Sequence, residues 1–222
     1  MTFPTTRRPR QRLMIFARVP ERGLVKTRIA ADLGDDKTLA IYRAMLEDVL
    51  GSIGESSQET EVEILWTGSE SITGDDLRAA FGNRRLERQS GPTLGDRLTV
   101  AFSERIVFSR AEKLIAIGAD DPMLTRHDVE RAFLLLDSCD WVIGPATDGG
   151  YYLIGCRDAS FHASVFRDIS WSGEQVFRET LERIREREPS VAILPRRSDI
   201  DRVGDLRRRS FSGKLGAVLR EL

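Results

Sequence analysis

Lys113-Leu114-Ile115-Ala116-Ile117-Gly118-Ala119-Asp120-Asp121-Pro122 joins an apolar run of strand length to two consecutive acids and a proline. Unbroken hydrophobicity over so few residues fits a strand covered on both faces, as in a parallel sheet flanked by helices. A parallel strand that ends in carboxylates presents them at the sheet edge where open α/β folds bind ligands. Carboxylates at that edge can hold Mg²⁺ or Mn²⁺, hard cations that take few protein ligands and complete their shell with phosphate oxygens and water. A turn made by Asp121 and Pro122 ahead of a helix would read the same way.

Working outward, strand-like runs recur at residues 13–19, 62–66 and 141–146, with helix-period segments between most of them. Leu39, Tyr42, Met45 or Leu46, Val49 and Ile53 share one helical face, and Leu98, Ala101, Phe102, Ile106 and Val107 mark a second helix over about 96–109. Thr125 with Asp128 three residues on predicts a capped third helix, and Ser172 with Gln175 a fourth, whose stripe is Val176, Phe177, Leu181 and Ile184. Residues 151–156 follow 141–146 too closely for a parallel crossover, so these strands pair antiparallel or diverge. Residues 191–194 read as a late strand, and the chain from Val203 as one or two closing helices broken near Ser212-Gly213. The expectation is an α/β chain with a mixed, mainly parallel sheet. We assign residues 13–222 to one domain and residues 1–12, basic and proline-containing, to a tail.

Composition excludes several classes. A net charge of −1 over 222 residues gives nucleic-acid binding no electrostatic support beyond the tail and Arg207-Arg208-Arg209. No apolar run is long enough for a membrane span, so no membrane partner is expected. Cys139 and Cys156 read as small buried hydrophobes rather than a disulfide, which points to a reducing, cytoplasmic setting. His127 and His162 form no cluster with them, against a zinc site.

The remaining chemistry sits in loops. After the first strand, Gly23 is followed by Lys26, Thr27 and Arg28: glycine lets backbone approach an anion, and the two cations suit a nucleotide's phosphates, although the spacing is not that of a Walker loop. A solvated loop is the bland alternative. Residues 89–97, with Gly95 and Arg97, could read a base or ribose, or Asp96 could merely cap a helix. Asp148-Gly149-Gly150-Tyr151 permits backbone close to a ligand, as would a hairpin turn. Trp171-Ser172 could face an acceptor or serve as a hydrophobic staple, and Asp199 and Asp201, projecting to one side, could complete a metal shell or cap the last helices.

In order, FARVPERGLVKTR, GPTLGDRL, GADDPMLT, GPATDGGYYLIG, ISWSGEQV and DIDRVGDL resemble, over residues 13–206, a bacterial glycosyltransferase-like family of the nucleotide-diphospho-sugar transferase superfamily. Some of its members are linked to arsenosugar biosynthesis, and similar loops occur in phospholactate and molybdenum-cofactor guanylyltransferases. The resemblance implies the three-layer α/β/α sandwich called GT-A and a transferase with a nucleotide or nucleotide-sugar donor, a small-molecule acceptor and Mg²⁺ or Mn²⁺. It makes Asp120 the first metal ligand and Asp201 its partner, ahead of Asp199, with Asp121 in reserve. It assigns Gly23, Lys26, Thr27, Arg28, Gly95, Arg97, Gly149 and Gly150 to the nucleotide, and Tyr151, Trp171 and Ser172 to the acceptor. Lys26, Arg28 and Asp148 would serve catalysis, Asp148 as the best candidate for a base. Two departures stand out: Asp121 lies where the position before proline is commonly small or apolar, and Trp-Ser-Thr is here Trp171-Ser172-Gly173. Sugar transfer is the first expectation, nucleotidyl transfer from a triphosphate the second, and a nucleotide-binding regulatory module without turnover a third.

Overall fold

Seven strands form one sheet in the order β3-β2-β1-β4-β6-β5-β7. The computed structural model describes residues 10–109, 111–171 and 173–222. β1 (Gln11–Arg18) pairs in parallel with β2 (Thr60–Thr67) on one side and β4 (Lys113–Gly118) on the other, and β3 (Arg85–Arg88) extends the sheet beyond β2. β6 (Tyr151–Arg157) runs antiparallel between β4 and β5 (Trp141–Pro145), because the five residues between β5 and β6 permit only a reversal. β7 (Val191–Ile193) returns parallel to β5.

Helices cover both faces. On one, Leu13, Ile15, Ile64, Ile115 and Ile117 pack against α2 (Asp35–Ile53), α3 (Gly74–Phe81) and α5 (Arg126–Leu135). On the other, Met14, Leu65, Leu114, Ala116 and Ile154 meet α4 (Leu94–Glu104) and α6 (Val176–Arg185). A third cluster binds α1 (Thr27–Leu33), α7 (Val203–Arg207) and α8 (Gly213–Glu221) to α2 through Ile29, Ile41, Met45, Leu206 and Leu215. The alternation of inward residues on β1 and β4 toward two opposite layers explains why their sequences read as continuous hydrophobic runs.

Local chemistry sets the helix starts. Thr73, Thr93 and Thr125 each accept a bond from the backbone of the aspartate three residues on, and each aspartate bonds back to the threonine backbone. The second predicted helix therefore begins at Leu94, with Asp96 as the returning acid rather than the cap, and its last residues, Arg105–Ser109, are π-helical. The fourth begins at Val176 after Gln175, whose side chain makes no capping bond; Ser172 lies outside the described residues.

The sheet also takes in Gln11 and Arg12, which composition alone grouped with the tail; residues 1–9 lie outside the described residues. Arg12 belongs there because its guanidinium is buried beside carboxylates, 2.5 Å from Glu61 and 3.4 Å from Glu63. Glu63, fully buried on β2, is also held by Arg105 at 2.7 Å, and Arg105 reaches Glu87 and Glu104. Removing one partner of a buried pair leaves an uncompensated charge, which costs far more than the pair contributes. Arg105→Met should lower unfolding free energy by about 3 kcal/mol, the low end for such a loss because Arg12 still faces Glu63. Urea denaturation would measure it, and a change below about 0.5 kcal/mol would refute this account of the network.

Candidate functional site

From β1 the chain builds outward to β2 and β3, then crosses back to β4 on the other side of β1. That reversal leaves a crevice beyond the carboxyl ends of β1 and β4, the place where open sheets bind ligands. A cleft of about 890 Å³ lies there. Its floor includes Phe16, Ala116 and Ile154; Asp120, Asp148, Asp199 and Asp201 occupy its polar side, and Tyr151 and Trp171 an apolar wall.

The loop leaving β1 is fixed from outside the sheet. Tyr42 of α2 accepts from the Arg18 amide at 3.1 Å and donates to the Arg18 carbonyl at 2.9 Å, closing the strand end. Burial, followed by the charge of Asp120, pushes the Tyr42 phenol well above its ordinary range, so it stays a neutral two-way connector. Lys26 caps α1 in the left-handed conformation (φ 44°, ψ 48°), a strained state for a residue with a Cβ. Its side chain is 9% exposed and its ammonium lies 2.9 Å from Asp120. Arg28, two residues further, is paired with Asp201 and feels Asp148 and Asp199 as well. Thr27 opens α1 and is exposed. Gly23, also left-handed, sits against Asp35.

The two adjacent acids after β4 have different fates. Asp120 is 53% exposed and faces the cleft, whereas Asp121 is 3% exposed and turned into the protein. Asp121 accepts from the Met123 amide at 3.0 Å and lies 3.4 Å from Arg197. Burial raises the Asp121 pKa, opposed by that amide and by Arg197. Arg197 in turn stacks on Tyr152 at 5.5 Å, pairs with Asp128 at 2.7 Å and donates to the Met123 carbonyl. It thus ties the loop after β4 to the segment after β7, which continues through an Ile200 amide bond to the Asp120 carbonyl. Arg209 holds the same segment by donating to the Ser198 carbonyl, which gives that arginine a structural task.

Asp199, on the same braced segment, also lines the cleft. Burial raises its pKa, the Asp148 carboxylate adds to the rise, Lys26 opposes it, and Asp120 again adds. Asp148 turns back on its own loop, accepting from the Gly150 amide at 2.9 Å. The donor set therefore fits a hard cation: oxygen ligands only, with Asp120 open to the cleft and a neighbouring carboxylate whose charge is poorly compensated. Among the described residues no three acid, histidine or cysteine side chains gather tightly enough to hold a metal alone, so a substrate's oxygens and water would have to complete the shell.

Other expected residues have packing reasons of their own. A Cβ on Gly149, at φ 92°, would lie 2.1 Å from the Glu174 carbonyl, and one on Gly95 would lie 2.6 Å from the Trp171 indole nitrogen. Gly95 thereby seats Trp171, which meets Tyr151 edge-on at 6.4 Å. Arg97 braces its own loop, donating to the Gly91 carbonyl at 2.9 Å, and does not line the cleft. Arg197, Tyr152 and Arg202, the last also on the cleft wall, were not singled out from sequence; nothing in their local pattern marks them. No helix among the described residues is long and apolar enough to cross a membrane.

A family model described as an uncharacterised protein conserved in bacteria (DUF2064) matches residues 55–173. No curated protein matches the chain. Among solved structures, the chain is similar to a provisionally assigned nucleotide-diphospho-sugar transferase from Desulfovibrio desulfuricans G20: 30% identity, 96% of this chain and 95% of that one covered, TM-score 0.89. It also resembles a 4-diphosphocytidyl-2C-methyl-D-erythritol synthase from Anaerococcus prevotii (13% identity, 95% and 96% covered, TM-score 0.56) and a cytidylyltransferase from Leptospira borgpetersenii (14%, 96% and 93%, 0.54). At those identities the last two share the fold alone. The architecture is accordingly the GT-A-like α/β fold of the nucleotide-diphospho-sugar transferase superfamily.

The Arg197 brace can be tested apart from any ligand. Arg197→Met should destabilise the protein by about 2–3 kcal/mol, because Asp121 would keep its burial and lose its counter-charge. Arg207→Met, on an exposed side chain, should stay within about 0.5 kcal/mol. Equal effects in chemical denaturation would remove the brace from the description.

Proposed function

The chain belongs to the DUF2064 family, and on that premise we propose that it is a metal-dependent transferase that uses a nucleotide donor, moving a sugar from a nucleotide sugar to a small acceptor. The observation that carries this reading is the meeting, at the strand-order reversal, of two cations at the start of α1 with the cleft-lining acids that follow β4 and β7. The Desulfovibrio relative lends support through its own assignment.

In this reading Lys26 and Arg28 bind the donor's diphosphate, Lys26 as a point charge and Arg28 as a fork. Asp120, with Asp199 or Asp201, would hold Mg²⁺ or Mn²⁺. Bound there, the ion would offset charge that collects on the leaving diphosphate. The braced loops supply positioning: Tyr42 fixes the exit of β1, and Arg197 fixes the acids relative to it. Tyr151 and Trp171 form the wall against which an acceptor would lie, and Asp148, at the cleft surface, would take the acceptor's proton. A second reading, transfer of a nucleotidyl group from a triphosphate, is favoured by the two separately anchored cations, which suit a longer phosphate chain.

Thermal denaturation with nucleoside triphosphates and nucleotide sugars, with and without Mg²⁺ or Mn²⁺, distinguishes the two. A ligand about a hundredfold above its Kd should raise Tm by roughly 5–10 °C. A rise with sugar nucleotides supports the first reading, and one confined to triphosphates supports the second. Asp120→Asn should abolish the metal-dependent part of the rise. No rise with either class in the presence of metal would refute both.

A further inference from the structure

Each cation at the start of α1 is paired with an acid from another segment of the site, Lys26 with Asp120 at 2.9 Å and Arg28 with Asp201. The function proposed above gives these four groups to two different ligands: the cations to phosphate, the acids to a divalent ion. We propose, on the basis of that function, that the two pairs form a charge lock that makes binding of the divalent ion and of the diphosphate mutually dependent.

The argument is one of exchange. A divalent ion entering alone must displace an ammonium from Asp120 and then share the site with that ammonium. A diphosphate entering alone must draw Lys26 and Arg28 from their partners, which leaves Asp120 and Asp201 uncompensated beside Asp148 and Asp199. Entering together, the two ligands replace each cation–carboxylate contact by a cation–phosphate and a metal–carboxylate contact, and no charge is left bare. Lys26 is suited to such a lock because its side chain is only 9% exposed and its backbone sits at φ 44°. The ammonium is thereby kept over Asp120 rather than sampling solvent. By linkage, whatever factor the diphosphate adds to ion affinity, the ion adds to diphosphate affinity.

The lock predicts an affinity change opposite in sign to ordinary loss of a binding residue. Mn²⁺ alone, followed by the spin-resonance signal of the free ion, should bind Lys26→Met roughly 3–5-fold more tightly than wild type, the scale of a partly exposed ion pair. Pyrophosphate binding in the presence of Mn²⁺, measured by calorimetry, should weaken in the same variant. In wild type the coupling factor should be at least about 5. Arg202→Met, which removes the same charge from the same cleft, controls for the general field and should alter Mn²⁺ affinity less than about 2-fold. If Lys26→Met does not fold, Arg28→Met tests the second pair with the same expected sign. Unchanged or weaker Mn²⁺ binding in the lysine variant, or an equal gain in Arg202→Met, overturns the lock while leaving the transferase reading in place. A wild type that binds neither Mn²⁺ nor pyrophosphate overturns both.

Discussion

The parallel pairing of β1 with β4, Gln11 against Lys113 through Phe16 against Gly118, is the contact on which the site depends. It joins segments far apart in the chain and ends both strands at one level. The loops that leave them, carrying Lys26 and Asp120, therefore emerge side by side over a floor of buried side chains. Closing so long a connection carries an entropic cost, which is offset by burying both faces of the two strands under α2, α4 and α5. A slip of one residue in this register would turn Leu13 and Ile15 to the opposite layer and separate the two loops, so core and site are specified together.

Charge is handled in two ways in the same molecule. At the far end of β1 and β2, Arg12, Glu63 and Arg105 are buried in one ion-pair network, an arrangement that holds β1, β2 and the end of α4 in one geometry without needing to change. At the carboxyl end, Arg28, Asp120 and Asp201 line a cleft, with Lys26 against Asp120, and these pairs can exchange partners. Burial is the difference. A pair sealed from water is costly to open, whereas a pair beside an open cleft can trade a side chain for a ligand of the same sign.

Much of this was legible in the sequence because the physics responsible is local. Hydrophobic period located six of seven strands and the long α2, and Thr125 with Asp128 marked a helix start that the structure reproduces. β3 escaped because Arg85-Leu86-Glu87-Arg88 carries a single apolar residue, as an edge strand paired on one side can. α1 escaped because seven residues capped by a left-handed lysine give neither a capping signature nor a long stripe. The start of α6 was misplaced because Ser172 and Gln175 have the spacing of a capping box, but the turn before Val176 is set by tertiary contact, the Phe177 amide donating to the Gly149 carbonyl. At the site, residue types pointed to phosphate and metal chemistry, while side-chain partnership did not follow from them. Which acid meets which cation depends on strand order, and strand order is not written in any one loop.

The adjacent acids Asp120 and Asp121 show how the fold separates what sequence leaves equivalent. Asp120 is 53% exposed at the cleft, whereas Asp121 beside it is 3% exposed. The one turned inward could persist only with a counter-charge and a donor, and Arg197 and the Met123 amide provide them. Arg197 is itself held flat on Tyr152, whose ring fills the space that a side chain at Gly144 would occupy, 2.4 Å from the position of a Cβ there. A departure in one residue before the proline is thus absorbed by a glycine on β5, an aromatic on β6 and an arginine after β7. With Asp121 committed to that brace, Asp120 is the acid of the pair left to face a ligand.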